Sequence, residues 1–206
     1  MTTTDTTDFS GLAASIYVPD IDTDTLIPID YCINRQRPDF DVGLFRAWRF
    51  NDDGTKKSDF VLNTERYSKS RVLIAGANFG CGSSREMAVW ALCDFGIRCV
   101  IAPSFGEIFY NNCFQNNLLA ARVSHSTAEA LNDVARGSDG LHVVIELENK
   151  TIRLPTSQTY DFELDSLRRE MLERGLDFIE ATLTRRAEIE SFERTDRLRR
   201  PWAYLK

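Results

Sequence analysis

Residues 71–76, RVLIAG, are a short apolar run with no polar alternation, and such a run is stable only when both of its faces are covered. That demand is met in the middle of a parallel sheet. The run leads into GANFGCGSS, which brings Gly76, Gly80 and Gly82 together, and then into a helical stretch at 85–94 with Ala88, Ala91, Leu92 and Phe95 on one face. A second apolar strand is predicted at 99–102 and a helix from about Ser104, where Ser104 and Glu107 form a capping-box pattern. A third strand follows at 118–123. Strand, helix and strand in succession predict an α/β domain with parallel strands.

The flanks are weaker in pattern. Residues 1–14 are rich in Thr and Asp and are expected to be flexible, with short extended pieces at 15–18 and 26–29 around Pro19 and Pro28. A polar excursion over 30–57 holds one predicted short helix, 42–48, and a turn at Asp52-Asp53-Gly54. A helix over 127–136 begins with a capping box of Ser126 and Glu129 and stops at Gly137. Segments 142–147 and 151–154 alternate as a hairpin around Asn149. Leu164, Leu167, Met171 and Leu172 share a helical face before Gly175, a last helix covers 178–194, and 195–206 is a basic tail, solvated or facing a partner. With no linker or repeat, residues 1–206 are expected to form one domain.

Composition excludes several classes. Lys plus Arg number 25 against 31 Asp plus Glu, a net charge of −6, the opposite of what a phosphate-backbone binder needs, so no nucleic-acid partner is expected. The longest apolar runs fall far short of the roughly 20 residues that cross a bilayer, so no membrane association is expected. The MTTTDTTDF start has neither a basic leader nor an apolar segment, and a cytoplasmic location is expected. Five cysteines without a CxxC pair and only two histidines point to reduced thiols and to no metal site in this chain. His125 and His142 are expected in structural or surface roles, and the aromatics of 105–114 in a helix-face core.

The chemistry concentrates where the glycine turn enters its helix. Backbone N–H groups at a helix start lack partners and carry partial positive charge, so the turn attracts anions. Arg85 adds a planar fork for a carboxylate. Ser83 and Ser84 can bond to the same ligand, or one can hold an alkoxide stabilised there. Three familiar glycine-loop patterns fail: no lysine follows Gly82 as a P-loop needs, Arg85 stands where the dinucleotide fingerprint has its third glycine, and Ser84 lacks the trailing glycine of a nucleophile elbow. The plain alternative is that Ser83 or Ser84 caps the helix while Arg85 is solvated. Asp22-Thr23-Asp24 is a second candidate anion-site element, with an Asx-type turn as its alternative.

Taken together, DTDTLIP, GLFRAWRF, NFGCGSSRE and CVIAPSFGEIFYNNCFQNNLL resemble, in order and spacing, the small subunit of 3-isopropylmalate dehydratase, a family related to the swivelling carboxyl-terminal domain of aconitase. The resemblance runs from about Asp20 to Val123 and continues weakly through YDFELDSLRREMLERGLD. It implies a three-layer β/β/α swivelling domain with a largely parallel central sheet. It also implies a hydro-lyase that interconverts 2- and 3-isopropylmalate in leucine biosynthesis, with a 4Fe-4S cluster in a separate large subunit and none bound by this chain.

Residue by residue, the resemblance implies that Ser83 is the base that removes a carbon-bound proton, and that Ser84 and Arg85 meet a carboxylate of the small dicarboxylate substrate. Thr23 and Asp24 match a Thr-Asp element near the site, with Asp24 orienting a cation and Thr23 fixing the turn. Residues 31–37 correspond to a substrate-selecting loop, here with Tyr31, Cys32, Ile33 and Asn34, and Arg37 falls where a basic residue can meet a second carboxylate. Met87 and Val89 stand in place of the family's usual histidine and proline, Asp39 and Asp41 in place of glycines, and Cys32 in place of a leucine. These departures leave open a paralogue acting on another substituted malate, or a noncatalytic anion-binding regulatory module. Cys81, beside the implied base, is expected to pack the loop.

Overall fold

In a computed structural model, residues 8–82, 84–137 and 140–204 are described. Four parallel strands form its centre: β1 (Gly11–Ile16), β2 (Val72–Ala75), β3 (Cys99–Ala102) and β4 (Leu119–Arg122). Leu73 of β2 pairs with Ala14 of β1 on one side and Val100 of β3 on the other, and Val100 pairs in turn with Ala120 of β4. Every residue of β2 and β3 is buried, as their unbroken apolar runs require. α3 (Glu86–Phe95) joins β2 to β3 and α4 (Glu107–Gln115) joins β3 to β4, as predicted. α5 (His125–Gly137) crosses β1, β2 and β3, and Ser15 Oγ donates to its Asn132 Oδ1 at 2.8 Å.

The other half of the sheet is antiparallel. β5 (Leu141–Glu146) pairs with β1 through residues 141–143 and with β6 (Thr151–Arg153) through residues 144–146, so one strand serves two directions of pairing. β7 (Thr159–Asp161) completes the order β4-β3-β2-β1-β5-β6-β7. Just past β7, the Glu163 N–H donates to Arg122 O of β4 at 2.8 Å, which brings the chain leaving one edge of the sheet onto the opposite edge. The sheet is therefore mixed and curled rather than parallel throughout.

Several local expectations are corrected. Residues 11–14 are not flexible: they belong to β1, where Ala13 pairs with β2 and β5, Ala14 pairs with β2, and both are fully buried. Of residues 26–29 only Ile27 and Pro28 are extended; Leu26 and Ile29 belong to helical turns on either side. Asp22 Oδ1 accepts from Thr25 N at 2.6 Å and starts a short helix, α1 (Thr23–Leu26), and Ile29–Tyr31 form a 3-10 turn. The helix predicted over 42–48 is split at Phe45, whose φ is +49°, into a 3-10 turn, Asp39–Gly43, and α2 (Arg46–Arg49). Ser104 does not cap α4. Gly106 is its N-cap, and Ser104 Oγ instead accepts from Asn78 N at 2.8 Å.

At α5 the cap is Ser124, whose Oγ accepts from Thr127 N, rather than Ser126. α6 (Ser166–Arg174) is capped by Asp165 and closed by Gly175 in the left-handed conformation. The predicted helix over 178–194 is two, α7 (Phe178–Leu183) and α8 (Arg186–Arg199). Residues 195–199 are thus helical rather than tail, followed by Asp196 holding Arg200 at 2.7 and 2.8 Å and Tyr204 at 2.8 Å.

Candidate active site

Beyond the carboxyl ends of β1, β2 and β3 the pairing continues through the loops. Asp20 N donates to Ala77 O at 2.9 Å, Gly80 N to Ile21 O at 2.7 Å, and Thr23 N to Cys81 O at 2.9 Å. On the other side Phe79 N donates to Ser104 O at 3.1 Å and Gly106 N to Phe79 O at 2.9 Å. Asn78 Nδ2 donates to Asp20 Oδ1 at 2.7 Å. Three strand exits are thereby locked into one rigid platform. Two glycines make this closeness possible. A Cβ on Gly76 would sit 2.4 Å from the Val18 carbonyl, and one on Gly80, with φ +72°, would sit 2.2 Å from the ring of buried Phe109.

The platform sets Arg85 against Asp24. Arg85 Nη1 donates to Asp24 Oδ1 in a short ion pair and reaches Ile27 O at 3.4 Å. The Arg85 side chain is 20% exposed and that of Asp24 is 60% exposed. Nη1 is thus committed, while Nε and Nη2 have no bonded partner among the described residues. Arg85 is also the N-cap of α3, with no side-chain cap bond; its carbonyl accepts from Ala88 N at 3.2 Å, while Glu86 N and Met87 N have no partner among the described residues. Two N–H groups unpaired among the described residues, a half-occupied guanidinium and an exposed hydroxyl can together take a carboxylate. Buried Thr23 sits at the start of α1, directly beside this pair.

Ser83 lies outside the described residues; its neighbours Gly82 and Ser84 are both exposed. Burial, with Asp22 and Asp20 adding to it, pushes the Cys81 thiol up, which leaves it neutral and suited to packing rather than to nucleophilic work. The Thr25 hydroxyl and N–H hold the Asp22 carboxyl below the usual carboxylate range.

The selecting loop adjoins the pair. Burial pushes the Cys32 thiol up while Arg85 pulls it down and Asp24 adds to the rise, and Cys32 Sγ donates to Pro28 O at 3.6 Å. Tyr31 is half-buried, with the guanidinium carbons of Arg35 and Arg46 at 5.3 and 5.4 Å from its ring centroid. Ile33 is exposed, as is Asn34, whose φ is +57°. Arg37 is not gathered with them. Its Nε donates at 3.1 Å to Asp94, a carboxylate whose side chain is only 2% exposed and which also accepts from Phe40 N. Asp94 lies near the far end of α3, about 12 Å along the helix from Glu86 at 1.5 Å per residue.

One functional element goes beyond the sequence-predicted set. Asn116, just past the end of α4, donates from Nδ2 to Glu86 Oε1 at 2.7 Å and to Asn112 O at 2.9 Å, and its Oδ1 accepts from Trp90 Nε1 at 2.8 Å. It therefore clamps the residue that follows Arg85. Its only sequence signal is an asparagine at a helix end, which reads as a C-cap.

No group of three or more His, Cys, Asp or Glu able to hold a metal ion occurs among the described residues. Cys93, Cys99 and Cys113 are buried thiols, Cys93 pushed up to about 11 by burial and the other two also raised by it. His125 and His142 are both exposed. Among the described residues no helix is long and apolar enough to cross a membrane.

Fold and site together define an α/β domain that presents an anion-binding turn where its parallel strands end. The profile of the aconitase C-terminal domain matches residues 7–126. The 3-isopropylmalate dehydratase small subunit of Rhodopseudomonas palustris is 46% identical over 197 residues, covering 96% of this chain and 98% of the relative. That of Mesorhizobium japonicum is 47% identical over 198 residues, with the same coverage. A crystal structure of 3-isopropylmalate dehydratase from Methanocaldococcus jannaschii superposes with a TM-score of 0.64 at 29% identity, over 90% of this chain and 98% of that one. The chain belongs to the 3-isopropylmalate dehydratase small-subunit family, within the aconitase C-terminal domain class.

Proposed function

We propose that this chain supplies the carboxylate-binding and proton-abstracting half of a hydro-lyase site that a large subunit completes, interconverting 2- and 3-isopropylmalate in leucine biosynthesis. The observation that carries the reading is the Arg85–Asp24 pair, held on the platform of strand exits with one edge of the guanidinium open. Dehydration removes a proton from a carbon next to a carboxylate, so negative charge grows into that carboxylate as the C–H bond breaks. A fixed guanidinium there stabilises the transition state more than the ground state. Asp24 keeps the fork oriented, Thr23 holds the start of α1 beside it, and Ser84 adds a hydroxyl contact.

Ser83 is the base. A serine alkoxide is far too costly in water, and the unpaired N–H groups of the α3 start together with Arg85 lower that cost. The neutral Cys81 leaves Ser83 without a competing thiolate. The exposed Ile33 and the neutral Cys32 give the selecting loop an apolar character, which supports a malate with a branched alkyl substituent. The 4Fe-4S cluster is assigned to the large subunit, where it would supply Lewis-acid assistance to the departing hydroxyl; the donors gathered among the described residues of this chain do not fit it. Arg37, tied to Asp94, meets a second carboxylate only by exchanging that partner.

The test is reconstitution with the large subunit under anaerobic conditions. The chain alone should be inert and the complex should turn over 3-isopropylmalate. Arg85→Lys, which keeps the charge and loses the fork, should lower kcat/KM by about 100-fold, near 2.7 kcal/mol at 1.36 kcal/mol per decade. Tight dicarboxylate binding by the chain alone, with no turnover in any complex, would instead establish a noncatalytic binding module.

A further inference from the structure

Outside the C-terminal helices, the exposed large apolar side chains gather around the strand exits. Val18 follows β1, Ile29 and Ile33 flank the selecting loop, Val42 adjoins Tyr31, and Ile108 lies in the first turn of α4; Val144 stands apart. Next to them runs an alternating stack of guanidinium and ring. Arg35 and Arg46 both lie over Tyr31, Arg46 lies 4.3 Å over Phe50, and buried Arg49 stands 5.1 Å from Phe50 and 5.0 Å from Phe95. The faces of Arg35 and Arg46 are thereby held by aromatic rings while their donor edges are left over.

Arg35, Arg46 and Lys56 line one shallow cavity of about 460 Å³ together with Arg49 and a carboxylate, Asp41, and none of the first three makes an ion pair among the described residues. Like charges converging in a chain with six more acidic than basic groups are stable when an external anion neutralises them. Apolar side chains beside stacked arginines are also the make-up of an interface core with its anchors.

We infer that this face, with Ile29, Ile33 and Val42 at its centre and Arg35, Arg46 and Lys56 along one side, is where the large subunit docks through a carboxylate-bearing surface of its own. The inference rests on the reading of a site shared between two subunits. It goes further in assigning the charged contact and the chemistry of the opposing surface. The observation that favours a protein over a small ligand is continuity: the cations adjoin exposed apolar groups that surround an open site.

The experiment titrates the full chain with the large subunit at several salt concentrations. Arg46→Glu with Lys56→Glu should weaken assembly at least tenfold and flatten its salt dependence, with kcat of the saturated complex kept within twofold. The control is Lys69→Glu, an exposed change preceding β2 at the opposite end of the strands, and it should bind as the wild type does. Equal affinities for the double variant and the wild type would overturn the proposal. So would stabilisation of the isolated chain by citrate or malate that depends on Arg46 and Lys56, or a self-dimer abolished by the same changes. Assembly that follows the expected pattern without turnover would support the surface and count against the reaction alone. Absence of any wild-type complex would overturn both.

Discussion

Replacing Gly80 by alanine should cost far more than its surroundings suggest, because two separate penalties meet there. Its φ of +72° lies in the left-handed region, where a side chain costs about 1–2 kcal/mol. The added methyl would fall 2.2–2.6 Å from three carbons of the Phe109 ring, which is buried and packed edge-on to Phe79 at 5.5 Å. Relieving that overlap costs about 1–3 kcal/mol more. The sum is about 2–5 kcal/mol. Gly175, at the end of α6 with φ +62°, has nothing within 4 Å of the corresponding position, so Gly175→Ala carries only the first penalty. Urea denaturation of the two variants, with unchanged m values, isolates the steric contribution as the difference. Equal losses in the two would refute the claim that close packing of Gly80 holds the loops together.

Other outcomes follow from the same geometry. Asn116→Ala should free Glu86 and Trp90, lower kcat/KM of the reconstituted complex by about tenfold (~1.4 kcal/mol) and weaken the chain by about 1–2 kcal/mol as the Trp90 donor and the Glu86 acceptor lose their partner. Asn116→Asp with Glu86→Gln, which restores an amide-to-carboxylate bond between the two positions, should recover most of the kinetic loss; failure to recover would deny the clamp a positioning role. Asp22 is held below the usual carboxylate range, so its ionised form stabilises the fold fully above an unfolded value near about 3.9 and ceases to do so as pH falls through the lower folded value. The stability difference between wild type and Asp22→Asn should therefore shrink below about pH 4 in acid titration followed by circular dichroism, and a difference constant down to pH 2 would contradict this.

The parallel centre of the fold was legible because β2 and β3 are apolar on both faces and because glycines and helical periodicity follow β2 at once. Strand β7, TYD, carries no such signal: it is an exposed edge whose only specification is its pairing with β6. The apolar LIP following Thr25 reads as extended by composition, and Ile27 and Pro28 are, yet the hydrogen bond from Thr25 N to Asp22 draws Leu26 into a helix end. In the site, Arg85 and Asp24 were legible as separate motifs, and the structure joins them across 61 positions. The tie of Arg37 to Asp94, 57 positions away, was not, because Asp94 looks like any solvated helix residue until the Asp39–Gly43 turn covers it. The Asn116 clamp was hidden for the same reason, since Glu86 and Trp90 meet it only when α3 and α4 pack.

The most direct measurement is single-turnover dehydration of 3-isopropylmalate by the assembled two-subunit enzyme carrying Ser83→Ala, read as ultraviolet absorbance of the new carbon–carbon double bond conjugated to a carboxylate. Loss of the rate by about three decades or more (~4 kcal/mol), with assembly and substrate affinity kept, is the predicted result. Formation of the unsaturated diacid at a rate within tenfold of the wild type would show that some other group takes the proton, and would contradict the account.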